Sequence, residues 1–162
     1  MGFCSTSSTS SPFDGPVIVD NMGFIQSALR AGGPYLYSLP ARSITTGPHY
    51  DTDNVRQIEG YATQVLRDLH LQYHGIRLVG RNSKIDPEPE TVTIVLVRMP
   101  NRPQPELWYR AAKEINQLLL SHYHDGLSVE IIETDLFNGI YCSPVESRVN
   151  CSRSPMSPFV GR

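Results

Sequence analysis

Residues 91–135 constrain the fold of this chain more than any other stretch. They begin with a run of β-branched and apolar side chains over residues 91–97, which is typical of a strand buried on both faces. After Pro103 and Pro105, apolar residues recur at helical spacing up to Leu119. Beyond Gly126, apolar and polar residues alternate as in a half-buried strand. The stretch therefore predicts a strand, a helix and a second strand.

An earlier part of the chain repeats this order of elements. Thr52 or Asp53 can cap a helix, and an apolar stripe from Val55 to Leu69 precedes Gly75 and a short strand over residues 76–79. With residues 35–39 as a first strand, the order becomes β-α-β-β-α-β. We therefore predict an α+β fold of the ferredoxin-like, split βαβ type, with a four-stranded antiparallel sheet and two helices on one face.

Composition separates a compact middle from two irregular ends. We predict a flexible Ser/Thr-rich segment over residues 1–33, a single α+β domain over residues 34–141 and a flexible Ser/Pro-rich tail over residues 142–162, so both termini are expected to be disordered. In the tail, Ser154 and Ser157 each precede a proline and resemble phosphorylation sites of proline-directed kinases. Ser-Pro pairs are also common in solvated tails, which is the alternative interpretation.

Charge and hydropathy argue against two classes of protein. The chain has 14 basic and 16 acidic residues, a formal net charge of -2, and this balance provides no basic surface for nucleic acid. No apolar run approaches the length of a membrane span, and residues 1–11 do not resemble a signal peptide. We therefore expect a soluble, intracellular protein without a transmembrane segment, located in the cytoplasm.

The cysteines and the N-terminus leave two covalent modifications open. Three cysteines without metal-type spacing favour a reducing compartment, but spacing alone allows a bridge between Cys142 and Cys151. The start of the chain fits the minimal pattern for myristoylation of Gly2, and Cys4 is available for a second acyl chain. An unstructured polar tail is the simpler interpretation of this segment.

Four histidines lie near the ends of the two predicted helices. His70 and His74 are four residues apart and share a helix face, whereas His122 and His124 follow the second helix. Helices that run in the same direction would bring both pairs to one end of the molecule, where they could bind zinc or copper. The alternative is that these side chains interact with the helix C-termini. Apart from Asp125, no Cys, Glu or Asp at ligand spacing completes either pair. We predict no bound cofactor.

The main functional prediction concerns the sheet face that the two helices leave open. Four apolar side chains are expected to form this ligand or partner face: Val79, Val95, Val97 and Ile132. An exposed apolar patch of this kind marks an interface, so either the terminal segments or another chain should cover it. RNA-binding sheets carry aromatic stacking residues on their central strands, whereas the corresponding positions here are Thr and Val. The sequence therefore argues against RNA binding by this sheet.

Four features carry a resemblance to a known group of proteins. They are a helix that ends before a short hydrophobic strand, the strand over residues 91–97, aromatic residues at the start of the second helix (Trp108 and Tyr109) and the strand over residues 129–133. In these features, residues 51–135 resemble a domain found in many uncharacterised fungal proteins. Some longer members continue into a trypsin-like region, onto which no His/Asp/Ser set of this chain can be mapped. The resemblance implies a shared fold and leaves the function open.

These observations favour a binding protein over an enzyme. The chain contains no GxSxG, P-loop or GxGxxG motif. We predict a non-catalytic domain that binds a protein partner, or forms a homodimer, through the open face of the sheet. The alternatives are a small-molecule-binding regulatory domain, a metal-dependent enzyme and a hydrolase-associated domain.

Overall fold

A mixed β-sheet organises the chain. The computed structural model describes residues 7–11, 15–45, 51–88 and 90–141, and these residues contain eight strands and three helices. The strands are β1 (Ser7–Ser11), β2 (Gly15–Val19), β3 (Ile25–Gln26), β4 (Arg30–Gly33), β5 (Ala41–Thr45), β6 (Gly75–Ser83), β7 (Val92–Met99) and β8 (Ser128–Glu133). The helices are α1 (Thr52–Asp68), α2 (Pro105–Ser121) and α3 (Thr134–Tyr141). The strand order across the sheet is β1-β2-β3-β4-β8-β7-β6-β5.

The strand-helix-strand unit predicted over residues 91–135 is confirmed. Pro105 lies in the first turn of α2, where its missing N–H costs no hydrogen bond. The apolar side of α2 buries Trp108, Ile115 and Leu119 completely against the sheet. Strands β7 and β8, which α2 connects, pair directly and in parallel, with Val95 opposite Val129. Every other strand pair in the described sheet is antiparallel.

The first predicted helix is also confirmed, with a different cap. The carboxylate of Asp51 accepts a hydrogen bond from the Asn54 N–H at 2.8 Å, so Asp51 is the N-cap. Ile58 and Leu66 are fully buried on the side of α1 that faces the sheet. Tyr61 of α1 stacks on His122, whereas Asp68 lies near Glu114. The two helices therefore lie side by side on one face of the sheet and run antiparallel.

The ferredoxin-like prediction is wrong. That fold has four antiparallel strands, with another strand between the two that each helix connects, whereas here β7 and β8 are direct neighbours in a larger mixed sheet. The predicted first strand, residues 35–39, is irregular in the structure. Pro34 and Pro40 bracket it, and neither can donate a backbone hydrogen bond to a neighbouring strand. Strand β4 pairs with β8 instead.

The sheet also includes residues from the N-terminal segment that we predicted to be flexible. Residues 7–11 and 15–33 supply strands β1 to β4, which extend the sheet beyond β8. Ala31 of β4 is fully buried against the helix layer. At Gly32, where φ is +153°, a Cβ atom would lie 2.0 Å from the carbonyl oxygen of Val129. Glycine at this position therefore allows β4 to approach β8 closely.

The sheet face opposite α1 and α2, called the far face below, has its own cover. Residues 34–40 cross this face, and α3 folds back onto it directly after β8. The carboxylate of Glu133 accepts hydrogen bonds from the N–H groups of Asp135 and Leu136, which fixes the start of α3. A second hydrophobic cluster is buried between these segments and the sheet, and it includes Leu39, Ala41, Ile94, Leu96 and Ile132.

Candidate functional site

The structure divides the four predicted partner-face residues between the two faces of the sheet. Val79 and Ile132 lie on the far face and pack into its hydrophobic cluster. Val95 and Val97 lie on the opposite face, fully buried beneath the helices. This division follows from the register, because Val79 is paired with Ile94 and therefore shares a face with Ile94 and not with Val95. Only Val79 among the four is partly exposed.

A buried ion-pair network holds the cover of the far face in place. Glu130 accepts hydrogen bonds from Arg30 Nε at 2.7 Å and from Arg81 Nε at 2.8 Å. Arg30 Nη2 also donates to the carbonyl oxygen of Tyr37 at 2.7 Å, and Arg81 Nη1 donates to Ser43 Oγ at 3.2 Å. The network thus ties β4, β6 and β8 to the segment that crosses the sheet.

Charge within this network fixes the ionisation state of Glu130. Burial alone raises the pKa of its carboxyl group, because the charged form loses its hydration. The positive charges of Arg30 and Arg81 and their hydrogen bonds together outweigh burial, so the pKa of Glu130 is lowered from its ordinary value. The side chains of the three residues are almost inaccessible, and the network is therefore structural.

One part of the far face remains open beside the end of β5. A cleft of about 460 Å³ lies there, with Leu96 and the partly exposed Val79 and Phe137 providing apolar surface. Arg77 and Arg98 line the same cleft, and Ser43 adds a hydroxyl group. We call this site the arginine cleft. It combines an apolar surface with two cationic groups.

The register places the two arginines of the cleft as diagonal neighbours. Arg77 lies opposite Leu96, and Arg98 lies opposite Gly75, on the adjacent strands β6 and β7. Diagonal residues on one face of an antiparallel pair are about 7–8 Å apart at Cα. Among the described residues, neither guanidinium has a carboxylate within salt-bridge distance. Both are therefore available to bind an anionic group from outside.

The structure separates the two histidine pairs. Because α1 and α2 are antiparallel, His70 and His74 follow one end of the helix layer, and His122 and His124 follow the other. His122 stacks on Tyr61 with ring centroids 4.3 Å apart, and His124 lies at 6.1 Å from the same ring. In the part of the chain that the structure describes, no group of three or more His, Cys, Asp or Glu side chains is arranged to hold a metal ion.

His74 has a defined structural role. Thr134 Oγ1 donates a hydrogen bond to the carbonyl oxygen of Met99, and its remaining contact is with His74 Nδ1 at 2.8 Å. With the hydroxyl hydrogen already engaged, Nδ1 of His74 must carry the hydrogen in this contact. The backbone N–H of His74 also donates to the carbonyl oxygen of Arg98. His74 thus links the start of β6 to the start of α3.

A second polar cluster attaches the N-terminal strands to α2. The carboxylate of Asp20 accepts hydrogen bonds from the N–H groups of Met22 and Phe24, which closes the turn after β2. It also accepts a hydrogen bond from the Tyr109 hydroxyl and one from Lys113 Nζ at 3.3 Å. Burial opposes ionisation of Asp20, but the hydrogen bonds that it accepts lower its pKa overall. This arrangement fixes the position of the turn on the helix.

Several predictions concern residues outside the described part of the chain. The phosphorylation sites Ser154 and Ser157, the Cys142–Cys151 bridge, the acylation of Gly2 and the Ser/Pro-rich tail over residues 142–162 all lie there. They stay predictions.

Among the described helices, none has both the length and the apolar character needed to cross a membrane.

Sequence reasoning missed Arg77 and Arg98 as site residues, although a signal was present. In the predicted strand over residues 76–79, alternation places Arg77 on the same face as Val79. An arginine on a predicted apolar face indicates either that a neighbouring carboxylate neutralises its charge or that the face can bind an anionic ligand.

Comparison with protein-family models, with curated proteins and with solved structures found no match to this chain. The resemblance to fungal proteins stays a prediction.

Proposed function

We propose that this chain is a non-catalytic protein-binding domain whose arginine cleft binds an acidic segment of a protein partner. The segment would carry carboxylates beside an exposed apolar side chain. One observation carries the proposal: Arg77 and Arg98 flank an apolar surface that stays open beside the segments covering the far face. Guanidinium groups bind carboxylates through paired hydrogen bonds, which gives the cleft a chemical preference.

The expected affinity follows from the size and exposure of the cleft. Each exposed arginine–carboxylate pair contributes about 0.2–1 kcal/mol. Burial of one Leu- or Ile-sized side chain contributes about 1.5–3 kcal/mol. These contributions total at most about 5 kcal/mol before the entropic cost of association is subtracted. A single short segment should therefore bind with a dissociation constant of about 1 mM, which corresponds to −4.1 kcal/mol, or more weakly. Additional contacts around the cleft would raise the affinity of a folded partner.

A small carboxylate ligand is the second candidate. The cleft volume of about 460 Å³ falls within the range of about 300–1,000 Å³ that is typical of small-molecule sites. In this case the chain would act as a regulatory domain. A small ligand should need the two arginines and the apolar surface of a single cleft, and its affinity should not increase when the same groups are displayed on a longer peptide.

A panel of four capped hexapeptides tests the proposal. The first combines leucine with aspartate and glutamate, the second replaces leucine by glycine, the third replaces the acids by their amides, and the fourth replaces them by lysine. Ligand-observed NMR suits weak binding, and we expect a signal only for the first peptide. A small carboxylate with an apolar body is measured alongside to address the second candidate.

Matched variants connect the peptide signal to the cleft. Arg77→Gln and Arg98→Gln should each lower the affinity of the first peptide, and the double variant should abolish detectable binding. Arg56→Gln removes the same charge from an exposed position on α1 and should leave binding unchanged. Equal binding of the acidic and amide peptides, or equal binding by all variants, would contradict the proposal.

A further inference from the structure

The loop after β6 has the features that the arginine cleft requires of a ligand. Ile85 is 74 % exposed, although it is a large apolar side chain. Asp86, Glu88 and Glu90 follow it closely in sequence and are all exposed. We call these four residues the acidic loop. They present three carboxylates beside one apolar group.

Hydrogen bonds hold the acidic loop in a defined conformation. Ser83 Oγ accepts hydrogen bonds from the N–H groups of Ile85 and Asp86, at 3.1 and 3.2 Å. The carboxylate of Asp86 accepts one from the N–H of Glu88 at 3.0 Å. A segment that is already ordered loses less conformational entropy when it binds. The loop is therefore better suited to weak docking than a disordered peptide of the same sequence.

The loop cannot reach the arginine cleft of its own chain. The cleft includes Arg77, near the start of β6, and the loop begins after Ser83, at the end of this strand. A strand rises about 3.3 Å per residue, so Arg77 and Ser83 are separated by roughly 20 Å along a rigid element, and the loop carboxylates cannot pair with the arginines of the same copy. Any contact between them must join two molecules.

We infer that the partner segment is the acidic loop of a second copy of this chain, an inference that rests on the function proposed above. Ile85 of one copy packs against the apolar surface of the other copy's cleft, beside Leu96. Asp86 and Glu88 pair with Arg77 and Arg98. Charge complementarity supports this occupant, because the two surfaces carry opposite charges and lie at opposite ends of β6.

The geometry of the contact allows two types of assembly. If the loop of each copy binds the cleft of the other, two copies form a closed two-fold dimer; if only one loop binds, each copy keeps a free cleft or a free loop, and the chain associates head to tail into oligomers that grow with concentration. The same loop occupies the same cleft in both cases. Because exposed charge pairs contribute to the contact, added salt should weaken the association.

Two complementary variants test the inference by sedimentation velocity. The cleft variant, Arg77→Glu/Arg98→Glu, retains a normal loop, and the loop variant, Ile85→Ser/Asp86→Ser/Glu88→Ser, retains a normal cleft. Each alone should remain monomeric at concentrations where the wild type associates, with an association constant lowered by at least about tenfold. A mixture of the two should form one-to-one dimers that do not grow, because only one productive contact is available.

A control variant with the same change in charge tests whether association depends on the arginine cleft. Arg56→Glu/Arg102→Glu reverses the same amount of charge at exposed positions away from the far face and should associate like the wild type. Circular dichroism confirms that each variant is folded. A monomeric wild type at the highest soluble concentration, or a mixture that fails to form dimers, overturns the inference. If the acidic peptides still bind under those conditions, the proposed function stands with a different partner; if they do not, both fail.

Discussion

Replacing Glu130 by glutamine should strongly destabilise the protein. The substitution preserves the size of the side chain but removes the negative charge between two buried guanidinium groups. Glutamine can still accept a hydrogen bond through its carbonyl oxygen, but its NH₂ group cannot accept one from the second arginine. Three hydrogen bonds to Glu130, at 2.7, 2.8 and 3.1 Å, are therefore weakened or lost.

The expected loss in the free energy of unfolding follows from the burial of the network. Removing one partner of a buried ion pair costs about 3–5 kcal/mol, because an uncompensated charge remains. Here two cations remain, so we expect the loss in the free energy of unfolding to be about 4–5 kcal/mol. For a chain of 162 residues, each 1 kcal/mol lowers the melting temperature by about 2–4 °C. A decrease in the melting temperature of roughly 8–20 °C should result.

Urea denaturation at neutral pH measures this effect, with Glu114→Gln as the control. Glu114 also pairs with an arginine, Arg110, at 3.2 Å, but its side chain is 40 % exposed. The same chemical change there should cost less than about 1 kcal/mol. A loss of less than about 1 kcal/mol for Glu130→Gln as well would refute the reasoning, because it would mean that the network does not retain a buried charge pair.

The effect of pH gives an independent test of the same network. The pKa of Glu130 is lower in the folded protein than its ordinary value of 4.5. The carboxylate therefore contributes its full stabilisation above pH 4.5, and this contribution is lost as the pH falls towards the lower folded pKa. The difference in stability between the wild type and Glu130→Gln should consequently be constant near neutral pH and decrease in acid. A difference that increases in acid would contradict the assigned pKa direction.

Two further predictions concern the attachment of the N-terminal strands. Gly32→Ala should destabilise the protein by roughly 3 kcal/mol or more, because the added Cβ would lie 2.0 Å from a backbone oxygen of β8. Thermal unfolding measures this loss. An unchanged melting temperature would show that β4 is not packed against β8 as described. Tyr109→Phe should cost about 1 kcal/mol and raise the pKa of Asp20 towards its ordinary value, because the hydrogen bond from Tyr109 helps to lower it. An NMR titration of Asp20 measures the second effect, and a pKa that is unchanged would exclude this hydrogen bond.

The helices and central strands were predictable because their apolar patterns are continuous. The apolar residues of α1 keep helical spacing along the helix, and the residues that become β7 form a nearly continuous apolar run. The N-terminal strands were not predictable in the same way. Strand β1 consists of Ser and Thr, and β4 is the short sequence Arg-Ala-Gly-Gly. Their position in the sheet depends on pairing with β8 and on contacts with α2, which no local pattern reveals.

The candidate site depended on a register that the sequence leaves open. Because β7 is apolar on both faces, either register with β6 buries it equally well, and a shift by one residue exchanges the faces. The prediction grouped Val79 with Val95, whereas the structure pairs Val79 with Ile94. Alternation within β6 alone was sufficient to place Arg77 beside Val79. That Arg77 lies close to Arg98 could not be predicted, because it depends on the register between β6 and β7.

The side-chain Nε–Hε signals of the arginines provide the most direct test of the arginine cleft. In NMR titrations with the hexapeptide that combines leucine with acidic residues, we predict that the signals of Arg77 and Arg98 shift together and saturate at one dissociation constant. The signal of Arg56, exposed on α1, should not shift, and the amide peptide should shift none of the three. Equal shifts for all exposed arginines, or no shift for Arg77 and Arg98, would contradict the claim that this cleft is the binding site.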